Sequence, residues 1–366
     1  MVIRAGSSPV TRTSKKRLFP KDAFCNVCAS TSVNNRKQMI CLHLKEKQSD
    51  LIKQLLAVGF LTGMVFVSEK TDQEAVLFPE ILALLTGMWL TPRMPWKVQR
   101  WEIPVMMTLC AVWGIVISRY LPAPTAVKMG IAFLGAAAAL LLTRSTLLPI
   151  LSACILPILI GEQSWLYPIA VVVMTVLLAL GQAFLEHVGL RTAQKPLRWS
   201  WNAHEEIVRW SILIPVTTGI AAVAIALGFP CVVAPPLIVL LSELSFPDSP
   251  VAKKGLNVAL VTILCACIGA ACRWGLQMQL ELPLWLAACA AAAGALMVFS
   301  ALRLPFPPAG ALSILPMLLP STLIPTYPLQ VAVGSSLLLL TAKLVRSILT
   351  LQKGGARHAA SHISAR

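Results

Sequence analysis

Few residues in this chain can do chemistry, and they sit in unusual places. Glu243, in the run LIVLLSELSF, is an acid inside an apolar segment and away from its outer end. A carboxylate at membrane depth is by default a coupling-proton or cation site. The competing reading is that Glu243, about one turn from Phe246-Pro247, simply reaches the interface. Glu80, beside Pro79, reads as interfacial. The second informative feature is the stretch LPFPPAGALSILPMLLP from Leu304 to Pro320, with a counterpart LLPILSACILPILIG from Leu147 to Gly161. Between Pro308 and Pro320 a helix has about twelve residues, or roughly 18 Å, against a hydrocarbon core of ~30 Å. Prolines at 307 and 308 suit a helix start. The amides of Ala309, Gly310 and Ala311 are expected to point out of that start, where the dipole favours an anion. A Pro-kinked packing helix is the alternative. Arg144 and Arg303 stand at matching positions before the two short helices and would either complete an anion site or anchor the chain at the interface.

Enzyme chemistry finds no support. Of five His, only His187 and His204 lie between the first and last apolar runs, and no GxSxG, HExxH, Walker or dinucleotide pattern occurs. Cys25, Cys28, Cys41 and His43 resemble zinc ligands only superficially. The other seven Cys sit in apolar segments as small packing residues. No metal or cofactor is expected.

What positions these residues is a duplicated membrane architecture. LTG at 61–63 returns as TTG at 217–219, and LCAVWG at 109–114 as LCACIG at 264–269. Pro92/Pro95 return as Pro247/Pro250, Arg144 as Arg303, and Tyr167-Pro168 as Tyr327-Pro328. The offset drifts only between 155 and 160 residues. Hydrophobic residues make up 57% and charged ones 13% of 366 residues, and the mean hydropathy is +0.76. Such values place the chain among polytopic membrane proteins. Twelve apolar runs are expected to give an all-α fold of two tandem pseudo-symmetric repeats, each of about six segments, with 10–12 transmembrane helices. Several runs fall short of the ~20 residues that a straight span needs, so some are tilted, broken or re-entrant.

The net charge of +16 is topogenic, because 11 of 31 Lys and Arg lie in residues 1–53 and most others in short loops. Nucleic acid is not an expected partner; the bilayer and a small solute are, and self-association is left open. With the N-terminus inside, inner loops hold Arg93, Lys97, Arg100, Arg144, Arg191, Lys195, Arg198, Arg209, Lys253, Lys254 and Arg303. The outer ones hold Lys70, Arg119, Lys128 and Arg273. This predicts a multi-pass plasma-membrane protein with both termini cytoplasmic and two halves of equal orientation. Trp89, Trp96, Trp101, Trp165, Trp274 and Trp285 read as interfacial anchors. The expected organisation is a basic segment 1–50, repeat 1 over 51–189, a cytoplasmic linker 190–206, repeat 2 over 207–349 and a basic tail 350–366. AGSSPVTR at 5–12 back-translates into a transfer-RNA T-arm, which makes Met39 the expected initiator.

FPPAGALSILPML resembles the signature of the HPP family of integral membrane proteins, and PPLIVLLSELSFPDSPVAKKGLN at 235–257 is similar to that family's Pro-Asp-Ser-Pro-Leu-Ala stretch. The resemblance covers about 230 to 345. Phe306 stands where the family has His. Family members have been linked to nitrite transport in plastids, so the resemblance implies a small anion as solute.

The expected function is therefore a secondary transporter for a small solute, an inorganic or organic anion such as nitrite. Pro307, Pro308, Ala309, Gly310, Glu243, Arg303 and Arg144 are the candidate binding residues. A non-transporting membrane subunit or scaffold, and an efflux component, are the other readings.

Overall fold

The computed structural model describes residues 47–194, 202–246, 249 and 251–364, with side chains to 351. The chain divides into units Met1–Leu51 and Ile52–Arg366; the architecture below is that of the second. The start-site expectation, the Cys25–His43 cluster, Lys195, Arg198 and the landmark prolines 247 and 250 lie outside the described residues.

Among the described residues twelve α-helices follow one another, joined in places by short 3₁₀ turns, and no strand occurs. They are α1 (Lys47–Thr71), α2 (Glu80–Leu85, continued by a π turn over Thr86–Leu90), α3 (Glu102–Tyr120), α4 (Thr125–Thr143), α5 (Pro149–Ile160) and α6 (Leu166–His187). Then come α7 (Ala203–Ala226), α8 (Pro235–Leu244), α9 (Gly255–Cys272, extended by a π segment to Gln279), α10 (Leu284–Leu302), α11 (Pro307–Ile314, tightening into a 3₁₀ turn over Leu315–Met317) and α12 (Tyr327–Ser364). The protein is an all-α polytopic membrane protein.

Length separates two classes. Eight helices, α1, α3, α4, α6, α7, α9, α10 and α12, are long and apolar enough to cross a bilayer. Against the expected range of 10–12, eight helices among the described residues have the length of a straight span, and four short elements lie between them. The reason lies in proline. Pro149, Pro235 and Pro307 open α5, α8 and α11, Pro79 precedes α2, and Pro316 converts the end of α11 to 3₁₀ geometry. At 12 and 10 residues, α5 and α8 reach roughly 18 and 15 Å, about half of the hydrocarbon core.

Burial follows the same division. Every residue of α2 and α11 is buried, as are Pro149–Ile158 of α5 and all of α8 but Glu243. The long helices instead expose large apolar side chains, Leu142 at 85% and Leu256 at 84% among them. Lipid makes such a surface tolerable, and interrupted backbone at membrane depth is tolerable where protein buries it or where it lines a cavity. Long helices therefore form the wall and short helices the interior.

Two glycines set the distance between wall and interior. A Cβ on Gly114 of α3 would lie 2.3 Å from the Cys154 carbonyl oxygen of α5, and one on Gly269 of α9 would lie 2.2 Å from that of Ser313 on α11. Just beyond, the Tyr167 hydroxyl donates to Ala153 O (2.9 Å) and that of Tyr327 to Leu312 O (2.7 Å). Gly114→Val and Gly269→Val should each cost about 1–3 kcal/mol through overpacking, read as loss of thermal stability in detergent. Gly59→Ala, with nothing near its Cβ, should be neutral; equal effects at all three positions would refute this packing account.

The ends of the helices sort onto two faces. Lys97 N donates to Thr146 Oγ1, Met94 N to Gln194 Oε1 and Arg191 to Thr91 O, while Arg100 pairs with Glu186 at 2.8 Å. The connections 91–101, 144–148 and 186–194 thus share one face. α4 and α7 run antiparallel, since Gly130 meets Thr218 while Phe133 meets Trp210, which brings the start of α7 to that same face. Arg209 of α7 then binds Ser242 O and Ser245 Oγ, which carries the end of α8 there too. Glu69, whose carboxylate accepts from Trp285 N, lies opposite.

Two of the tryptophans expected at the interface are elsewhere. Trp89 and Trp96 are each 5% exposed. Trp89 donates to Leu178 O and lies on Gly181, and Trp96 lies on Gly87, so in each case a missing side chain makes room for an indole. Trp101, Trp165 and Trp274 are exposed.

Candidate functional site

The four short helices meet at their first turns. Each contributes two residues three apart to one small cavity: Glu80 and Ala83 from α2, Pro149 and Ser152 from α5, Pro236 and Val239 from α8, Pro308 and Ala311 from α11. Pro307 and the inward-turned Trp96 complete the lining. The interior, ≈ 10 Å³, has room for about one water.

Glu80 is its one titratable group. It is 1% exposed, and one carboxylate oxygen accepts a hydrogen bond from the Ser152 hydroxyl. The other oxygen, Oε2, is buried with no hydrogen-bond partner among the described residues. A buried acceptor left unmade is costly, and a carboxyl at membrane depth persists where it does something. Beside the Ser152 hydroxyl and Trp96 the lining is proline, alanine and valine, so Glu80 is the one lining group that can take up or release a proton.

The expected site residues divide on inspection. Pro307 and Pro308 line the cavity. Ala309 and Gly310 are buried beside it, with Gly310 facing Leu82 of α2, where a Cβ would be 3.3 Å from Leu82 Cγ. The amide of Ala309 does not point out of the helix start: it donates to Phe306 O (3.1 Å). The equivalent amides of Ile81, Ile150 and Leu237 turn back in the same way to Phe78, Leu147 and Ala234. Proline removes one donor at such a start and the tight turn consumes the next. Glu243 lies seven residues past Pro236 on α8, roughly 10 Å along the axis, and is partly exposed. Arg144 and Arg303 occupy left-handed C-caps of α4 and α10 (φ 50° and 48°) with exposed side chains, outside the cavity lining. His187 and His204 are exposed.

Glu80 itself was legible only as an interfacial acid, because its neighbour is proline and its position precedes an apolar run. The walls that bury it come from α5, α8 and α11, which are 70 to 230 residues away in sequence.

A comparison with family models matches residues 204–354 to the HPP transmembrane region. No curated protein and no solved structure matches the chain. Within the matched segment, Phe306 precedes α11 and is 1% exposed. An apolar ring fills the position before the Pro-Pro turn, and the only acid at the cavity is supplied by residue 80, outside the matched segment.

Proposed function

We propose that this membrane protein is a secondary permease for a small anion, built from two tandem copies of one six-element unit, and that Glu80 carries a proton with the solute. The observation that supports it best is the convergence of four interrupted helices, two from each half, on one buried carboxyl. Elements broken at membrane depth around a central polar group are the usual architecture of a carrier site between pseudo-symmetric halves.

The element order supports the duplication. Long, short, long, long, short, long over 47–187 is repeated over 203–364, and cavity residues pair at offsets of 156 for Glu80/Pro236 and 159 for Ser152/Ala311. The face bearing Arg93, Lys97, Arg100, Arg144 and Arg191 is then cytoplasmic by the positive-inside rule, in a plasma membrane with both termini inside.

Proton coupling follows from charge. An anion beside an ionised carboxylate at 4 Å is opposed by about 4 kcal/mol at an effective dielectric of 20, so the solute enters when Glu80 is neutral. Counterflow of a labelled anion panel, with nitrite first, in proteoliposomes tests the reading. Exchange of at least one small anion well above protein-free liposomes is expected; no exchange of any member by monodisperse, inserted protein would favour the scaffold reading.

A further inference from the structure

The second large feature of the molecule is a cleft of ≈ 930 Å³ on the face that carries the 91–101 connection. It is lined by that connection together with Gln182 and Glu186 of α6 and residues 192–194. Three cations, Arg93, Lys97 and Arg100, border it against one acid, Glu186, which Arg100 engages. Its volume is that of a small-molecule site, far more than the central cavity holds.

One residue belongs to both spaces. Trp96 lines the cleft and also the cavity around Glu80. Its neighbours Pro95 and Lys97 are exposed, while its own side chain is 5% exposed. The indole is turned inward onto Gly87, where even a Cβ would lie 2.4 Å from the ring. Gly87 belongs to the π turn Thr86–Leu90, whose carbonyl at residue 87 is taken by the Thr91 hydroxyl (2.6 Å). Such π turns recur where a helix is locally adapted to function. At the offset that pairs the halves, the second half has Glu243 in place of Gly87 and Ala252 in place of Trp96, so it offers neither seat nor plug.

We infer that the basic cleft is the anion-collecting vestibule of the central site and that the Trp96 indole, seated on Gly87, is the partition between them. This rests on the permease reading and adds to it the access route, the charge of what enters and the barrier residue. Arg93 and Lys97 raise the local concentration of small anions, as like-signed clefts do for oppositely charged ligands. Passage requires the ring to leave its glycine seat.

The inference can be tested without transport. Ala311→Cys places a thiol on the cavity wall, in otherwise unaltered protein held in nanodiscs so that both faces are accessible. Modification by a methanethiosulfonate ethylsulfonate anion is followed by mass spectrometry of the peptide containing residue 311. With Trp96 present, modification should be slow. Adding Trp96→Ala should accelerate it at least tenfold, and Trp96→Phe should restore most of the protection. Gly87→Ala, which leaves Trp96 in place but removes its seat, should also accelerate it. In the Trp96→Ala background the anionic reagent should outpace its trimethylammonium analogue, and Arg93→Glu with Lys97→Glu should reverse that order. Equal rates with Trp, Phe and Ala at 96 overturn the partition, and indifference to reagent charge overturns the vestibule. Accelerated labelling without anion flux in any preparation would instead keep the partition and sink the permease reading, whereas robust flux with unchanged labelling would do the reverse.

Discussion

Glu80→Gln should uncouple this protein while leaving its site intact. Glutamine keeps an acceptor for the Ser152 hydroxyl and fills the same volume, so the four first turns remain packed as they are. It cannot ionise. Wild-type uptake should rise as external pH falls, because only the neutral carboxyl lets an anion come close to it. Accumulation driven by a pH gradient should drop at least tenfold in the variant, and the pH profile should become flat. Anion exchange, which moves no net proton, should stay within about threefold of wild type, since the opposing ~4 kcal/mol is absent. Glu243→Gln, roughly 10 Å away along α8, should retain the wild-type profile; if it flattens the profile and Glu80→Gln does not, the coupling group has been misplaced.

The largest stability effect is expected at Arg209. Its guanidinium, 1% exposed, binds Glu206, Ser242 O and Ser245 Oγ, and lies 3.8 Å from the Phe246 ring centroid and 4.3 Å from that of Trp210. One side chain thereby fastens the start of α7 to the end of α8. Arg209→Ala leaves Glu206, 7% exposed, without its counter-charge and Ser245 Oγ without the guanidinium that donates to it; breaking a buried pair in this way costs about 3–5 kcal/mol. Arg209→Lys keeps the charge but loses the planar fork and its stacking, so an intermediate loss is expected. Thermal unfolding in detergent checks both, and an alanine variant as stable as the parent would show that the pair is ornamental.

Arg209 also shows where sequence reading stops. Counted as one more basic residue of the inner loops, it is in fact buried at 1% exposure. Ser245 and Phe246, 36 and 37 residues away, help to bury it. Composition and proline spacing were enough to read the membrane class, the two short segments 149–160 and 307–317 and the role of Pro307 and Pro308 as helix starts. These are local properties, fixed by hydrophobic runs and by a ring that cannot donate. The other two short helices, α2 and α8, read in the sequence as spans, because nothing local marks α2 as short until Pro79 and the π turn at 86–90 are seen to bound it. Glu80 and Trp96 were misread for a common reason. Each stands beside a proline near an expected interface, and each is drawn into the interior by a partner distant in sequence or by an absent side chain at Gly87. The amide of Ala309 was misread because a helix start leaves donors unpaired only when the preceding carbonyl does not turn back to take them.

The central claim is that an anion and a proton move together through the Glu80 cavity. The most direct measurement is the internal pH of proteoliposomes, reported by an entrapped dye, after a transported anion is added outside. Acidification that depends on the anion, in wild type but not in Glu80→Gln protein of equal exchange activity, is the predicted result. Anion uptake without acidification in the wild type, or the same acidification in both, would contradict it.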